Sequence, residues 1–203
     1  MGVLVQSSTI TYLLRENAAT YPSLGMLDTS RLNLTDPHPI WSAAGSNPVS
    51  IRKATVVTWL LLNVYRTGER LYQMRKAKSA ECIQCLAPLD NQLHFALQCM
   101  ELEKIRSEYL VKFIQICPTL TKYIENKELL LLILLDPFSP LVPNEVRESW
   151  SDSESAYKIS RDYFYDIHKK REKILEAKKG PDSIPLEPES EDKTNIIISM
   201  YEM

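Results

Sequence analysis

Apolar residues recur every three to four positions over most of the central chain, which is the spacing of amphipathic helices. The stretch 51–65 shows this spacing first, with Ser50 as the expected N-cap and Gly68 as the residue that breaks or caps the helix. The same spacing predicts further helical segments at 69–77, 101–116, 127–135 and 153–179. The hydrophobic pattern therefore predicts a mainly α fold.

Both ends of the chain lack this spacing, and they suggest a division into three parts. Residues 1–50 form an N-terminal segment whose later part is a Pro-rich connector, since prolines, Ser, Asn and Asp concentrate there. Residues 51–179 form the predicted helical domain. Residues 180–203 are rich in Pro, Ser and Glu, and we predict a disordered acidic C-terminal tail.

Charge is distributed unevenly, although the formal net charge is only −2. Residues 51–78 carry seven basic residues against one acidic residue, whereas residues 181–203 carry six acidic residues against one lysine. Such a concentration of basic residues favours binding to a polyanion. The predicted nucleic-acid-binding residues are Arg66, Arg70, Arg75, Lys76 and Lys78. Tyr65 and Tyr72 lie among them, where they could stack on unpaired bases or simply belong to the core.

Four residues in the middle of the chain have the types and spacing of a metal site. They follow the pattern C-x2-C-x8-H-x4-C, and they are Cys82, Cys85, His94 and Cys99. Three thiolates and one imidazole form a ligand set that holds a structural Zn²⁺ ion in a closed tetrahedron. The sequence therefore predicts a CCHC zinc knuckle over residues 82–99, embedded between helices.

The local structure of this knuckle can also be anticipated. Cys82 and Cys85 should flank a tight turn, and Asp90 is the expected cap of a short helix that carries His94. His94 and Cys99 are five positions apart, which corresponds to about 500° of rotation in an ideal helix. The two side chains would not share a helix face, so the helix must end or distort near Cys99.

Other interpretations of the same residues remain open at this stage. The cysteines could be small buried apolar residues, with His94 as a hydrogen-bonded core histidine. His38 or His168 could replace one of the ligands, although loop-closure entropy favours the nearer residues. Cys117 lies apart from the others and is predicted to be an inert buried thiol.

Nothing in the sequence indicates a membrane span or a secretory leader. The longest purely apolar run, Leu129–Leu135, is far shorter than the roughly 20 residues of a spanning helix. Because most of the cysteines belong to one metal-like cluster, we expect reduced thiols and an intracellular protein, nuclear or cytoplasmic.

Several of these features together resemble a known family. The order is Arg66-Thr67-Gly68, a basic stretch, Cys82-x2-Cys85, then the segment from His94 to Cys99, and then Arg106. This order resembles the zinc-binding region at the C-terminal end of non-LTR retrotransposon reverse transcriptases. The segments 37–41 and 160–171 are similar to the flanks of that region in invertebrate elements.

The resemblance implies a role in binding element RNA or target DNA during target-primed reverse transcription, beside a polymerase domain. It implies zinc ligands at Cys82, Cys85, His94 and Cys99. Polymerase activity does not carry over, because the Tyr-x-Asp-Asp motif is absent: the segment 163–166 lacks the paired aspartates that would hold two metal ions. We therefore expect no enzymatic activity of the chain itself.

Two alternative functions come from other classes. In the first, the chain is a protein-interaction scaffold in which zinc only joins helices. In the second, weaker one, it is a remnant of a restriction-like endonuclease, since Asp182, Glu191 and Lys193 match the spacing PD-x8-ExK. That match lies in a Pro- and Ser-rich segment without strand signals, and short motifs of this kind often arise by chance.

Overall fold

The computed structural model describes residues 38–42 and 44–178, and no β-strand occurs within them. The predicted mainly α fold is therefore confirmed. The α-helices are α1 (Pro39–Ser42), α2 (Pro48–Leu61), α3 (Gly68–Gln73), α4 (Glu103–Ile116), α5 (Lys127–Leu135), α6 (Asn144–Ser149) and α7 (Ser153–Lys178). A π-helix spans His94–Gln98, and 3₁₀-helices span Met100–Leu102 and Pro118–Tyr123.

Helix α2 begins earlier than the sequence pattern suggested, and Ser50 is not its N-cap. The cap is Asn47, whose side-chain oxygen accepts hydrogen bonds from the backbone N–H groups of Val49 (2.9 Å) and Ser50 (3.2 Å). Pro48 occupies the first helical position, where its missing N–H costs nothing. The pair Asn47-Pro48 is thus the stronger start signal.

The end of α2 also differs from expectation. The helix stops at Leu61, and Asn63 adopts a positive φ of 52°, so Tyr65 lies beyond the helix. Gly68 neither breaks nor caps α2. It is the first residue of α3, whose N-cap is Thr67, with the Thr67 hydroxyl accepting from the Arg70 N–H at 3.2 Å.

The core forms where the long helix α7 packs against α2 and α4. Helix α5 matches its predicted range, and six of its nine residues are buried because the helix is apolar on every side. The largest buried side chains of the core come from every one of these helices; they include Leu60, Phe113, Ile133, Tyr163 and Phe164. Cys117 is fully buried in this core, as predicted, with its sulfur 2.9 Å from the Ser149 hydroxyl oxygen.

None of the described helices combines the length and the apolar character that a membrane span requires. The predicted acidic tail at 180–203 lies outside the described residues, and so does the nuclease-like motif of Asp182, Glu191 and Lys193. Residues 1–37 of the predicted N-terminal segment also lie outside them.

Candidate metal centre

The first two cysteines flank a tight turn, as predicted. The N–H of Leu86 donates to the Cys82 carbonyl at 2.8 Å, and the Cys82 N–H donates to the Ala87 carbonyl at the same distance. Leu86 has a positive φ of 62°, a conformation that is strained for a residue with a side chain. The turn places the sulfurs of Cys82 and Cys85 on one side of the chain, facing the segment that carries His94.

The second two residues lie at either end of a π-helix, and this resolves the spacing problem between them. The N–H of Cys99 donates to the His94 carbonyl at 2.7 Å, which is an i to i+5 hydrogen bond. The wider π turn brings residues five apart close together, whereas an α turn would separate them. Cys99 then leaves the helix in an extended conformation. The distortion predicted near Cys99 is confirmed.

The cap of this helical segment is Asn91 and not Asp90. The Asn91 side-chain oxygen accepts from the His94 N–H at 2.8 Å, which fixes the backbone directly at a ligand. The Asp90 side chain instead pairs with Arg171 of α7. Both residue types are good caps, so the local sequence could not distinguish them.

The ligand atoms of Cys82, Cys85, His94 and Cys99 all lie within 4.8 Å of one another. The sulfurs of Cys82 and Cys99 are 4.0 Å apart, and the Cys85 sulfur is 3.3 Å from His94 Nε2. A tetrahedral Zn²⁺ ion with bonds of about 2.3 Å to sulfur and about 2.1 Å to nitrogen needs a sulfur–sulfur distance of about 3.8 Å and a sulfur–nitrogen distance of about 3.6 Å. These two separations lie close to the required values, and all four ligand atoms lie near one centre, so the four residues form a possible metal site.

Burial and charge also suit a metal. Cys82 and Cys99 are completely buried, His94 is 6% exposed and Cys85 is half-buried, so water has little access to three of the four ligands. The hydrogen bond between the two sulfurs lowers the pKa of Cys82 and raises the pKa of Cys99, because it favours the thiolate at the accepting sulfur and the thiol at the donating one. A bound cation would favour the thiolate form of every cysteine ligand, since metal ligation requires thiolates. His38 and His168 have other partners, at Asp136 and Tyr65, so neither replaces a ligand.

A buried ion pair joins the cluster to α7. Asp90 and Arg171 are 1% and 3% exposed at the side chain, and two hydrogen bonds of 3.1 and 2.5 Å connect them. The Asp90 carboxylate also accepts from the Gly68 N–H at 2.7 Å, and the Asp90 N–H donates to the Ala80 carbonyl at 2.8 Å. One aspartate thus ties together α3, α7 and the segment that leads to Cys82.

Gly68 is required at the start of α3 by this close packing. A Cβ atom there would lie 2.7 Å from the Glu81 carbonyl oxygen and 3.0 Å from both the Ala80 carbonyl oxygen and the Asp90 Cβ. Two of these three neighbours are backbone atoms, which cannot move aside cheaply. The glycine of the Arg66-Thr67-Gly68 triplet therefore allows the basic stretch to approach the cluster.

Two further side chains donate hydrogen bonds to carbonyl groups in the last part of the π-helix and just after it. The Tyr163 hydroxyl of α7 donates to the Ala96 carbonyl, and Arg106 of α4 donates to the Cys99 carbonyl at 2.9 Å. Burial raises the pKa of Tyr163, so its hydroxyl keeps the proton that it donates. Arg106 is part of the sequence motif, whereas the roles of Asp90, Arg171 and Tyr163 depend on contacts with residues far away in the chain.

The five predicted nucleic-acid-binding residues lie together between α2 and the Cys82 turn, a stretch that we name the basic segment (residues 66–78). The structure shows four of them exposed and the fifth, Arg70, half-buried. Tyr72 is 53% exposed, but Tyr65 is 4% exposed, and its hydroxyl forms a hydrogen bond with His168 Nδ1 at 3.0 Å. The interpretation of Tyr65 as a core residue is therefore the correct one.

No family model, curated protein or solved structure matches the chain.

Proposed function

We propose that this chain is a helical, zinc-stapled nucleic-acid-binding module without polymerase activity of its own. It resembles the C-terminal zinc-binding region of non-LTR retrotransposon reverse transcriptases, and in that setting it would act beside a polymerase domain inside the cell. The observation that carries the proposal is the convergence of four metal-ligand atoms within 4.8 Å, next to an exposed basic segment.

Zinc is the metal that this ligand set favours, and its role would be structural. Soft thiolates with one imidazole in a tetrahedral arrangement are typical of Zn²⁺. Four protein ligands leave no open position for a reactive water, so no hydrolytic step follows from the site. Metal binding to such sites is worth roughly 10–16 kcal/mol in small peptides, which is comparable with the whole stability of a typical domain.

The basic segment supplies the attraction to nucleic acid. Its cations are presented to solvent, and each contact with a phosphate would release a counterion. The beginning of the segment is fixed relative to the cluster, because the backbone N–H groups of Gly68 and Glu69 donate hydrogen bonds to Asp90 at 2.7 and 3.0 Å. Zinc binding would thereby hold the cations in a defined arrangement.

The test combines metal analysis with salt-dependent binding on one purified sample. We expect one zinc per chain, and an affinity for RNA or single-stranded DNA whose logarithm falls linearly with the logarithm of salt concentration. Reversing the charge at Arg70 and Lys76 should lower the affinity and flatten the salt slope by about 0.7 for each phosphate that is no longer neutralised. The matched control reverses Lys104 and Lys112 of α4, exposed lysines outside the basic segment. Equal effects of the two pairs, or no binding in low salt, would refute the proposal.

A protein-interaction scaffold is the second candidate, and one observation favours it. Apolar side chains next to the ligands are exposed: Ile83 by 47%, Leu86 by 77% and Met100 by 80%. Exposed apolar residues around one point can mark a protein partner. The salt titration separates the two functions, because an apolar interface would be nearly independent of salt whereas phosphate contacts would not.

A further inference from the structure

A second surface combines aromatic rings with cations, on the outer side of the contact between α2 and α7. We name it the α2–α7 aromatic surface, and it consists of Lys53, Trp59, Tyr165, His168 and Lys169. It lies outside the basic segment, and neither the cluster nor its supporting contacts use these side chains. Trp59 is 42% exposed, whereas Trp150 is 7% exposed and Trp41 is half-buried, so Trp59 is the exposed indole of the described residues.

The rings of this surface hold one another in place. His168 is the centre: its ring centroid lies 6.2 Å from that of Trp59 and 6.3 Å from that of Tyr165. Below it, the buried Tyr65 makes an edge contact at 5.8 Å and a 3.0 Å hydrogen bond to Nδ1. Trp59 therefore projects from α2 against a rigid support on α7, which is the property that a stacking platform needs.

Positive charge lies beside the rings. The ammonium groups of Lys53 and Lys169 are 6.0 and 5.7 Å from the Tyr165 ring centroid. Arg52 is exposed and precedes Trp59 by seven residues, two turns along the same side of α2. Carboxylates balance part of this charge: Asp162 lies 2.7 Å from the Lys53 ammonium, and Glu172 lies near His168. Burial lowers the pKa of His168, so the imidazole is neutral at pH 7 and the cations are the lysines and Arg52.

We infer that the α2–α7 aromatic surface binds single-stranded nucleic acid, with an unpaired base stacked on Trp59 and adjacent phosphates on Lys169, Lys53 and Arg52. Every base has an aromatic face, so such stacking tolerates any sequence, and phosphates complement the cations. In a duplex the base faces are already stacked on one another, so this surface prefers single strands. The inference rests on the proposed function, and it adds Trp59 to the exposed Tyr72 as a residue available for stacking, in place of the buried Tyr65.

The experiment measures fluorescence anisotropy of a labelled 20-nucleotide oligo(dT), and of a duplex of equal length, over a range of salt. Trp59→Ala should weaken oligo(dT) binding about tenfold, within the range measured when one stacking side chain is replaced by alanine. The salt slope should stay unchanged, because no charge is removed. Trp59→Phe should keep most of the affinity, since it retains an aromatic face. Duplex binding should be nearly insensitive to both variants.

Lys169→Ala provides the complementary change, because it should reduce the single-strand salt slope by about 0.7. The matched control is Lys122→Ala, an exposed lysine of the 3₁₀-helix Pro118–Tyr123 whose ammonium group pairs with Glu145 of α6 at 2.7 Å. The control should bind like the wild type.

The outcomes distinguish the two claims. If the wild type binds oligo(dT) and Trp59→Ala binds equally well, the aromatic surface is not a binding site, while the proposed function stands on the basic segment. If Trp59→Ala weakens duplex and single-strand binding equally, base stacking is excluded. If the wild type shows no salt-dependent binding to either probe, the proposed function fails and this inference fails with it.

Discussion

The ion pair between Asp90 and Arg171 is the interaction whose removal should affect the cluster most. We consider Arg171→Met, which removes the cation but keeps an unbranched, flexible side chain that can fill the same space. Two charge-assisted hydrogen bonds, of 3.1 and 2.5 Å, disappear, and the Asp90 carboxylate stays buried at 1% exposure. Removing one partner of a buried pair typically costs about 3–5 kcal/mol, because the remaining charge is left uncompensated.

The expected cost lies at the lower end of that range, about 3 kcal/mol. The Gly68 N–H continues to donate to the carboxylate at 2.7 Å, and a hydrogen bond to a charged group offsets about 1.5–3 kcal/mol of desolvation. For a domain stable by about 5–15 kcal/mol, this loss is a large fraction. With a typical urea m-value of about 1–3 kcal/mol/M, the unfolding midpoint should fall by about 1–3 M.

The assay is urea unfolding followed by circular dichroism, with zinc held in excess for every variant. The control is Lys53→Met, which breaks a pair of similar length, 2.7 Å to Asp162, whose side chains are 27% and 29% exposed. Because water screens that pair, its loss should cost less than about 1 kcal/mol. The double variant Asp90→Asn with Arg171→Met should be less destabilised than the sum of the single changes. If Arg171→Met is no more harmful than Lys53→Met, the ion pair does not hold the site.

Three further predictions concern the cluster itself. Removing the metal with a strong chelator should increase amide hydrogen exchange first in residues 79–100, and unchanged exchange there would contradict a structural metal. Gly68→Ala should lower the free energy of unfolding, measured by heat or urea, by about 1–3 kcal/mol, because its Cβ would lie 2.7 Å from the Glu81 carbonyl oxygen. An unchanged free energy of unfolding would show that the neighbouring backbone can shift to make room. Leu86→Gly should stabilise the metal-bound protein by up to about 1 kcal/mol, because glycine adopts a positive φ without strain and the leucine side chain that is lost is 77% exposed. A loss of stability would show that the backbone at Leu86 is not strained.

The elements that the sequence predicts well are those determined by local chemistry. Helix α5 has its predicted bounds because an apolar run is enclosed by Asn126, which caps it, and by Asp136-Pro137, which ends it. The cluster was predictable because its ligands lie within 18 residues, so few arrangements other than a common centre are open to them. The helix distortion at Cys99 followed from spacing alone, although its form, a π turn, did not.

The features that the sequence does not predict depend on partners far along the chain. Asp90 looks like a helix cap, but Arg171, 81 residues away, takes its carboxylate, and the neighbouring Asn91 caps instead. Similarly, Tyr65 and Trp59 are both aromatic residues next to basic ones. Only the packing of α7 over α2 determines that the tyrosine is buried and that the tryptophan is exposed.

These long-range contacts also determine how far the site depends on its metal. The cluster is not an isolated loop, because α7 contacts it through Arg171 and Tyr163, and Lys178 at its end donates to the carbonyls of Ile83 and Gln84. The core around Phe113 is built from α4 and α7 and requires no ligand residue. A small zinc finger unfolds without zinc because it has no other core. Here chelation should loosen the cluster and the adjoining basic segment, while the helices behind them stay folded. Zinc would then control the arrangement of the cations more than the existence of the fold.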